Sequence, residues 1–207
     1  MTYNFNWQES ELEQDFIDKY KHIFVKHGGP LFEPRHQRHH IRYYYAKLAS
    51  NLNGDFVECG VYNGESVYII TDFCKTNFHL FDSWEGVSEL GEFDGDTYKT
   101  YKWIASQEET QELLKDYNNI KYYKGWIPSR FDEVKNIHIS FLHLDLDLYE
   151  PTKQSLEHLW DKMVPGGIVL SDFHDGFATG AEKATRDFFA GIRDIEVLPT
   201  GVAVIIK

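Results

Sequence analysis

Apolar positions along this chain follow two rhythms, a helical spacing of three to four residues and short unbroken runs. Residues 9 to 27 set Leu12, Phe16, Tyr20 and Ile23 at helical spacing, with Gly28-Gly29-Pro30 as the stop. A second helix is predicted over Gln37 to Ser50, with Ile41, Tyr44, Tyr45 and Leu48 facing inward, before a turn at 51–55. Short apolar runs then predict strands at Phe56 to Cys59, Phe78 to Phe81, Ile120 to Lys124, Ile137 to Leu144 and Ile168 to Leu170. Between them fall a helix over Glu65 to Cys74, with Asn63 as its N-cap, and one or two helices within Tyr98 to Tyr117. A further helix opens at Pro151, carries Leu156, Leu159, Trp160 and Met163 on one face, and stops at Pro165-Gly166-Gly167. Ala181 to Ile192 reads as the last helix, burying Ala184, Phe188 and Phe189, and Ile195 to Ile206 as a terminal β-hairpin.

The stretch from Ile137 to Asp172 is strand, helix, strand, a right-handed parallel unit that presents both strand ends on one edge. Parallel neighbours lie about 4.8 Å apart. Asp145 and Asp172, just past the two strands, can therefore converge on one small cation or one substrate hydroxyl.

The first strand runs into Glu58-x-Gly60-x-x-x-Gly64-x-Ser66, with Tyr62 inside the turn. This differs from the Gly-x-Gly-x-x-Gly pattern that admits a pyrophosphate, because Glu58 replaces the first glycine. A carboxylate there repels a diphosphate and attracts an ammonium or sulfonium. A zwitterionic cofactor fits: its amine meets the acid, and its carboxylate takes donors from the turn and helix start. Asp82-Ser83, ending the second strand, stands where a ribose diol is held in such folds. Trp126, after Gly125, can lie against an adenine or serve as a core residue.

Composition narrows the class. The 207 residues are 42% hydrophobic and 16% aromatic, enough for one cored domain, and the net charge of −12 argues against nucleic acid or an anionic membrane as the main partner. Cys59 and Cys74 lack metal-ligand spacing and read as reduced packing residues, Cys74 on a helix. No apolar run approaches membrane-helix length and the first residues lack a signal pattern, so a cytoplasmic location is expected. The patch of Arg35, His36, Arg38, His39, His40 and Arg42 reads as a solvated, basic helix start rather than a metal site, although Arg35, Arg38 or Arg42 can reach an anionic group of a ligand. Tyr43, Tyr44 and Tyr45 offer a homodimer face. The expected organisation is an N-terminal helical extension over 1–52 and a catalytic domain over 53–207, with a lid-like insertion at 86–118.

Val57 to Ser66, Phe81-Asp82-Ser83-Trp84-Glu85-Gly86, Lys124-Gly125-Trp126, Leu144-Asp145-Leu146-Asp147-Leu148-Tyr149-x-x-Thr152 and Pro165-Gly166-Gly167 occur in this order. Together they resemble the macrocin O-methyltransferase family of class I S-adenosylmethionine (SAM) enzymes. The resemblance implies an α/β fold with a doubly wound, mostly parallel seven-stranded sheet and an antiparallel last strand. It also implies SAM as methyl donor, often Mg2+, and a small-molecule hydroxyl as acceptor, on a sugar or a sugar-bearing natural product. Carried over by position, Glu58, Gly60, Tyr62, Gly64 and Ser66 line the methionine end, Asp82 and Ser83 the ribose, and Trp126 the adenine. Asp145 contacts the cofactor and is metal ligand and general base, with Asp172 as second ligand. The family usually continues with Asp-Asp-Tyr where this chain has Asp172-Phe173-His174, so His174 or Asp175 fills the vacancy, or His174 is the base of a metal-free site. Asp147 reads as a turn cap. A carboxylate–histidine oxygenase site built from His143, Asp145, Asp172 and His174 is the competing class, and a non-catalytic SAM-binding module the third.

Overall fold

The computed structural model describes residues 11–26, 34–96 and 103–207, and side chains within these except at 11–14, 24–26, 34–36 and 175. Expectations for Gly28 to Pro30, Tyr98 and Tyr101, and for the side chains of Leu12, Arg35, His36 and Asp175, lie outside the described residues. The elements are α1 (Glu11–Lys26), α2 (Pro34–Ala49), β1 (Asp55–Cys59), α3 (Glu65–Ile70), β2 (Phe78–Asp82), α4 (Gln107–Leu113), β3 (Ile120–Lys124) and β4 (Ile139–Leu144). They continue with α5 (Tyr149–Leu159), β5 (Met163–Asp172), α6 (Thr179–Phe189), β6 (Glu196–Val197) and β7 (Val202–Ile206).

All seven strands join one sheet in the order β3-β2-β1-β4-β5-β7-β6. The pairs from β3 to β5 are parallel, and β7 runs antiparallel to both β5 and β6. Strands buried on both faces read as unbroken apolar runs, and their side chains divide with period two between two cores. Phe56, Phe78, Leu80, Phe141, Ile168 and Leu170 pack with Phe16, Ile41 and Val67 under α1 to α3. Val57, Phe81, Leu142, Leu144 and Val169 pack with Leu156, Leu159 and Phe189 under α5 and α6.

Register fixes what stands at the sheet's edge. Cys59 is level with Phe81 and Leu144, and Leu144 with Ser171, so the turns at Gly60, Asp82, Asp145 and Asp172 emerge together. The chain winds outward in both directions from β1 and β4, which makes this edge the topological switch point, where ligands of doubly wound sheets bind.

Several local expectations are corrected. α3 ends at Ile70 and Cys74 lies beyond it, because Asp72 leaves the helix to meet Lys19 and the Tyr20 hydroxyl of α1. α5 starts at Tyr149, so Pro151 is its third residue; the first turn still needs no donor there. Met163 belongs to β5, which runs through Pro165-Gly166-Gly167 instead of starting after it: Met163 already pairs with Ile139, and Gly166 at φ 80° absorbs the irregularity in register. Of the three tyrosines expected to offer a dimer face, Tyr45 is buried, while Tyr43 and Tyr44 are half-buried, with Tyr43 edge-on against Phe16 and Phe73. Among the described residues no helix is long and apolar enough to cross a membrane.

Candidate active site

The four turns open into one cavity of about 820 Å³. Of the residues predicted from sequence, Gly60, Tyr62, Ser66, Asp82, Ser83, Trp126, Asp145 and His174 line it. Glu58, Gly64 and Asp172 do not form its wall; they stand behind it.

At one end the glycine turn is held down by β2. The Asp82 Oδ2 accepts from the Val61 and Tyr62 backbone N–H groups at 2.7 and 2.8 Å, and Oδ1 accepts from Trp84 N at 2.6 Å. Burial pushes the Asp82 carboxyl above its usual range, against these three bonds. The Val61 and Tyr62 N–H groups of the turn are thus engaged by Asp82. Gly60 has φ +83°, and a Cβ there would lie 1.9 Å from the Asp145 carbonyl oxygen. That close approach is what sets the tip of β1 against the tip of β4. Behind the turn Ser66 Oγ donates to Glu58 Oε1, while the buried Glu58 Oε2 has no hydrogen-bond partner among the described residues. A buried, unpartnered carboxylate oxygen at this turn suits an ammonium donor. Asn63 does not cap α3 as its N-cap residue, which is Gly64, but its Oδ1 accepts from Glu65 N at 3.3 Å. Trp126 is 41% exposed on the cavity wall, so it is not a core tryptophan.

The other end is a knot of charge. The Arg42 guanidinium, reaching in from α2, donates from Nη2 to Asp145 Oδ2 at 2.9 Å and to Asp172 Oδ2 at 2.5 Å. Its Nε donates to His143 Nε2 at 3.0 Å, and its Nη1 lies 3.0 Å from His39 Nδ1. The His174 Nε2 lies 2.7 Å from Asp145 Oδ1 and 3.2 Å from Asp147 Oδ1. Burial opposes a charge on His174, yet the carboxylates of Asp172 and Asp145 and the bonds to Asp145 and Asp147 raise its pKa to about 11. Burial alone would raise the Asp145 carboxyl, but His174 and then Arg42 hold it well below the usual range. Asp145 is therefore the anion and His174 the cation of the pair at neutral pH. Asp147 is more than a turn cap, since its carboxylate faces His174. Backbone strain collects around the cavity: Tyr62, Trp103, Asp147 and His174, all lining it, have φ of 53°, 44°, 64° and 47°.

The basic patch is corrected in part. His39, His40 and Arg42 are buried rather than solvated, and burial lowers the His40 pKa to about 4. The signal that would have found Arg42 is its place in an apolar stripe, between Ile41 and Tyr45, Ala46 and Ala49, all buried.

Two sets of groups have ligand atoms close enough for a metal, His143 with Asp145 and Asp172, and Asp145 with Asp147 and His174. Arg42 already bonds every member of the first, and the second is drawn together on His174 Nε2. Phe173 is buried in the α5–α6 core and supplies no ligand. As arranged, these residues do not fit a divalent ion.

The macrocin-O-methyltransferase (TylF) family profile matches residues 38–197. The 8-demethyl-8-(2,3-dimethoxy-alpha-L-rhamnosyl)-tetracenomycin-C 4'-O-methyltransferase of Streptomyces olivaceus is 28% identical over 178 residues, 75% of this chain and 67% of that protein. The demethyldecarbamoylnovobiocin O-methyltransferase of Streptomyces niveus is 25% identical over 142 residues, 60% of this chain and 54% of that protein. The chain thus spans about two thirds and about half of these relatives. Among solved structures, CalS11, a calicheamicin methyltransferase, superposes with a TM-score of 0.76 at 17% identity, covering 96% of this chain and 94% of that one. The O-methyltransferase NovP superposes with a TM-score of 0.63 at 21% identity, covering 82% and 79%.

Proposed function

This chain belongs to the macrocin-O-methyltransferase family, and from that premise we propose that it transfers the methyl group of SAM to a hydroxyl of a small, sugar-bearing molecule. The carrying observation is one continuous cavity with the glycine turn at one end and the Asp145–His174 pair at the other. The oxygenase and the non-catalytic module fall away, because the family and the relatives it matches are O-methyltransferases.

Bound along the turn, SAM supplies an activated methyl on a sulfonium for in-line attack by an oxygen nucleophile. The chain's residues do the rest. Glu58, behind the wall and bonded to Ser66, supplies negative charge toward the amine, Arg38 on the cavity wall meets the carboxylate, Asp82 offers the ribose its remaining lone pairs, and Trp126 lies against the adenine. Gly60 keeps the donor turn in contact with the base. Asp145 accepts the acceptor's proton. Its low pKa is no obstacle, because a neutral hydroxyl grows steadily more acidic as its oxygen bonds to carbon, so a weak carboxylate suffices. Holding the partners in line supplies the larger share, up to roughly 7–11 kcal/mol.

The tetracenomycin relative is named for a rhamnosyl-bearing acceptor, and the cavity mouth suits such a molecule. Tyr62 and Trp103 meet edge-to-face at 6.0 Å and, with Phe177, expose aromatic surface for the apolar face of a sugar or a flat aglycone. The part of the 86–118 segment beside them is anchored: Asp94 Oδ1 accepts from Tyr149 N at 2.7 Å, at the start of α5. The test is incubation with methyl-labelled SAM and a panel of rhamnosides and other deoxysugar glycosides. Labelled methyl ether on a sugar oxygen supports the proposal; label on nitrogen or carbon acceptors alone refutes it.

A further inference from the structure

Arg42 lies 103 residues before Asp145 and 130 before Asp172, yet joins them at the centre of the site. Its side chain is 4% exposed and that of Asp172 is 0% exposed. Four of its contacts are to His39, His143, Asp145 and Asp172, which accounts for Nε and both terminal nitrogens. A magnesium ion would need those carboxylate oxygens at about 2.0–2.1 Å. The Arg42 guanidinium already holds those oxygens at 2.5 and 2.9 Å, so a second cation there would meet a buried charge of the same sign at close range. Arg42 cannot step aside by losing its proton, since arginine stays charged in proteins.

We infer that methyl transfer by this chain runs without a divalent cation, with Arg42 as a positioning residue that supplies the fixed positive charge between Asp145 and Asp172. The inference rests on the methyl-transfer reading for its chemistry, though its geometry does not. Arg42 fixes one oxygen of Asp145 while His174 fixes the other, and each oxygen keeps a second lone pair for the acceptor proton. The charge that a metal would spread over the acid cluster is here built into α2.

Mn2+ is the probe, titrated into the full chain and followed by the electron paramagnetic resonance of the free ion. Wild type and Arg42→Lys should leave Mn2+ free up to millimolar concentration. Arg42→Met, which vacates three ready ligands, should bind it at least ~10-fold more tightly, and adding Asp172→Asn should remove the gain. Micromolar Mn2+ binding by wild type that Asp172→Asn abolishes would overturn the inference, and this arm stands even where Arg42→Met does not fold. Turnover should be equal in EDTA and in Mg2+; dependence on Mg2+ would contradict the inference. Arg42→Lys should keep more of kcat than Arg42→Met, with unchanged affinity for S-adenosylhomocysteine. Calorimetry with S-adenosylhomocysteine on the same samples separates the two readings. Failure to bind it would sink the methyl-transfer proposal and leave the metal result standing.

Discussion

The two ends of the cavity are built on opposite plans. At the glycine turn a single carboxylate, Asp82, is tied by three backbone N–H groups, all within 23 residues of one another along the chain. At the acid end three carboxylates are held by two side-chain cations, one of which arrives from a helix before the first strand. The first end is shaped by backbone geometry and should fail through binding. The second is balanced charge and should fail through turnover.

The contrast is broken most severely at Asp145. Asp145→Asn keeps the shape but loses the proton acceptor, and should cut kcat by about 10^3-fold, while binding of S-adenosylhomocysteine, measured by calorimetry, stays near wild type. Gly60→Ala should do the reverse at the other end. Its Cβ collides with the Asp145 carbonyl and its φ of +83° is strained for alanine, at about 1–3 kcal/mol. Affinity for S-adenosylhomocysteine should fall about 100-fold, with a lowered Tm. If turnover alone fell, the turn would not be the cofactor seat.

The pH profile sharpens the division of labour at the acid end. His174 titrates near 11, so as a base it would need to lose that proton, and the rate would climb about tenfold per pH unit toward pH 11. With Asp145 as base, held below the usual carboxylate range, kcat should instead be flat from about pH 6 to about pH 9. Stability has its own signature on the acid side. His40 is pushed down to about 4 in the folded chain from 6.5, so stability is full above 6.5 and declines as pH falls from 6.5 toward 4. Denaturant melts over that range should show a smaller loss of stability on acidification for His40→Phe than for wild type, with the buried His79 supplying part of what remains. The smallest effect belongs to Trp126→Ala, which should weaken S-adenosylhomocysteine binding by about tenfold through lost stacking and leave kcat alone.

The same contrast explains what could be read without coordinates. The glycine turn, Asp82 and the paired tips of β4 and β5 follow from local runs and from the handedness of parallel connections, so Asp145 and Asp172 meet as their strand ends predict. Arg42 was legible as a cation able to reach an anion, but not as the buried partner of Asp145 and Asp172, for a physical reason. A charged residue near other charges on a helix is ordinarily solvated, and only the packing of α2 across the tips of β4 and β5 buries it. Asp147 and His174 were legible as residues but not as partners, since positive φ values at both turn their side chains together. Element ends went astray for lesser causes, such as Asp72 being drawn to α1.

The most direct measurement is calorimetric titration of the wild-type chain with S-adenosylhomocysteine. The account predicts saturable one-to-one uptake that Gly60→Ala loses and Asp145→Asn retains. Absence of uptake, with NAD or a free nucleotide binding in its place, would contradict it.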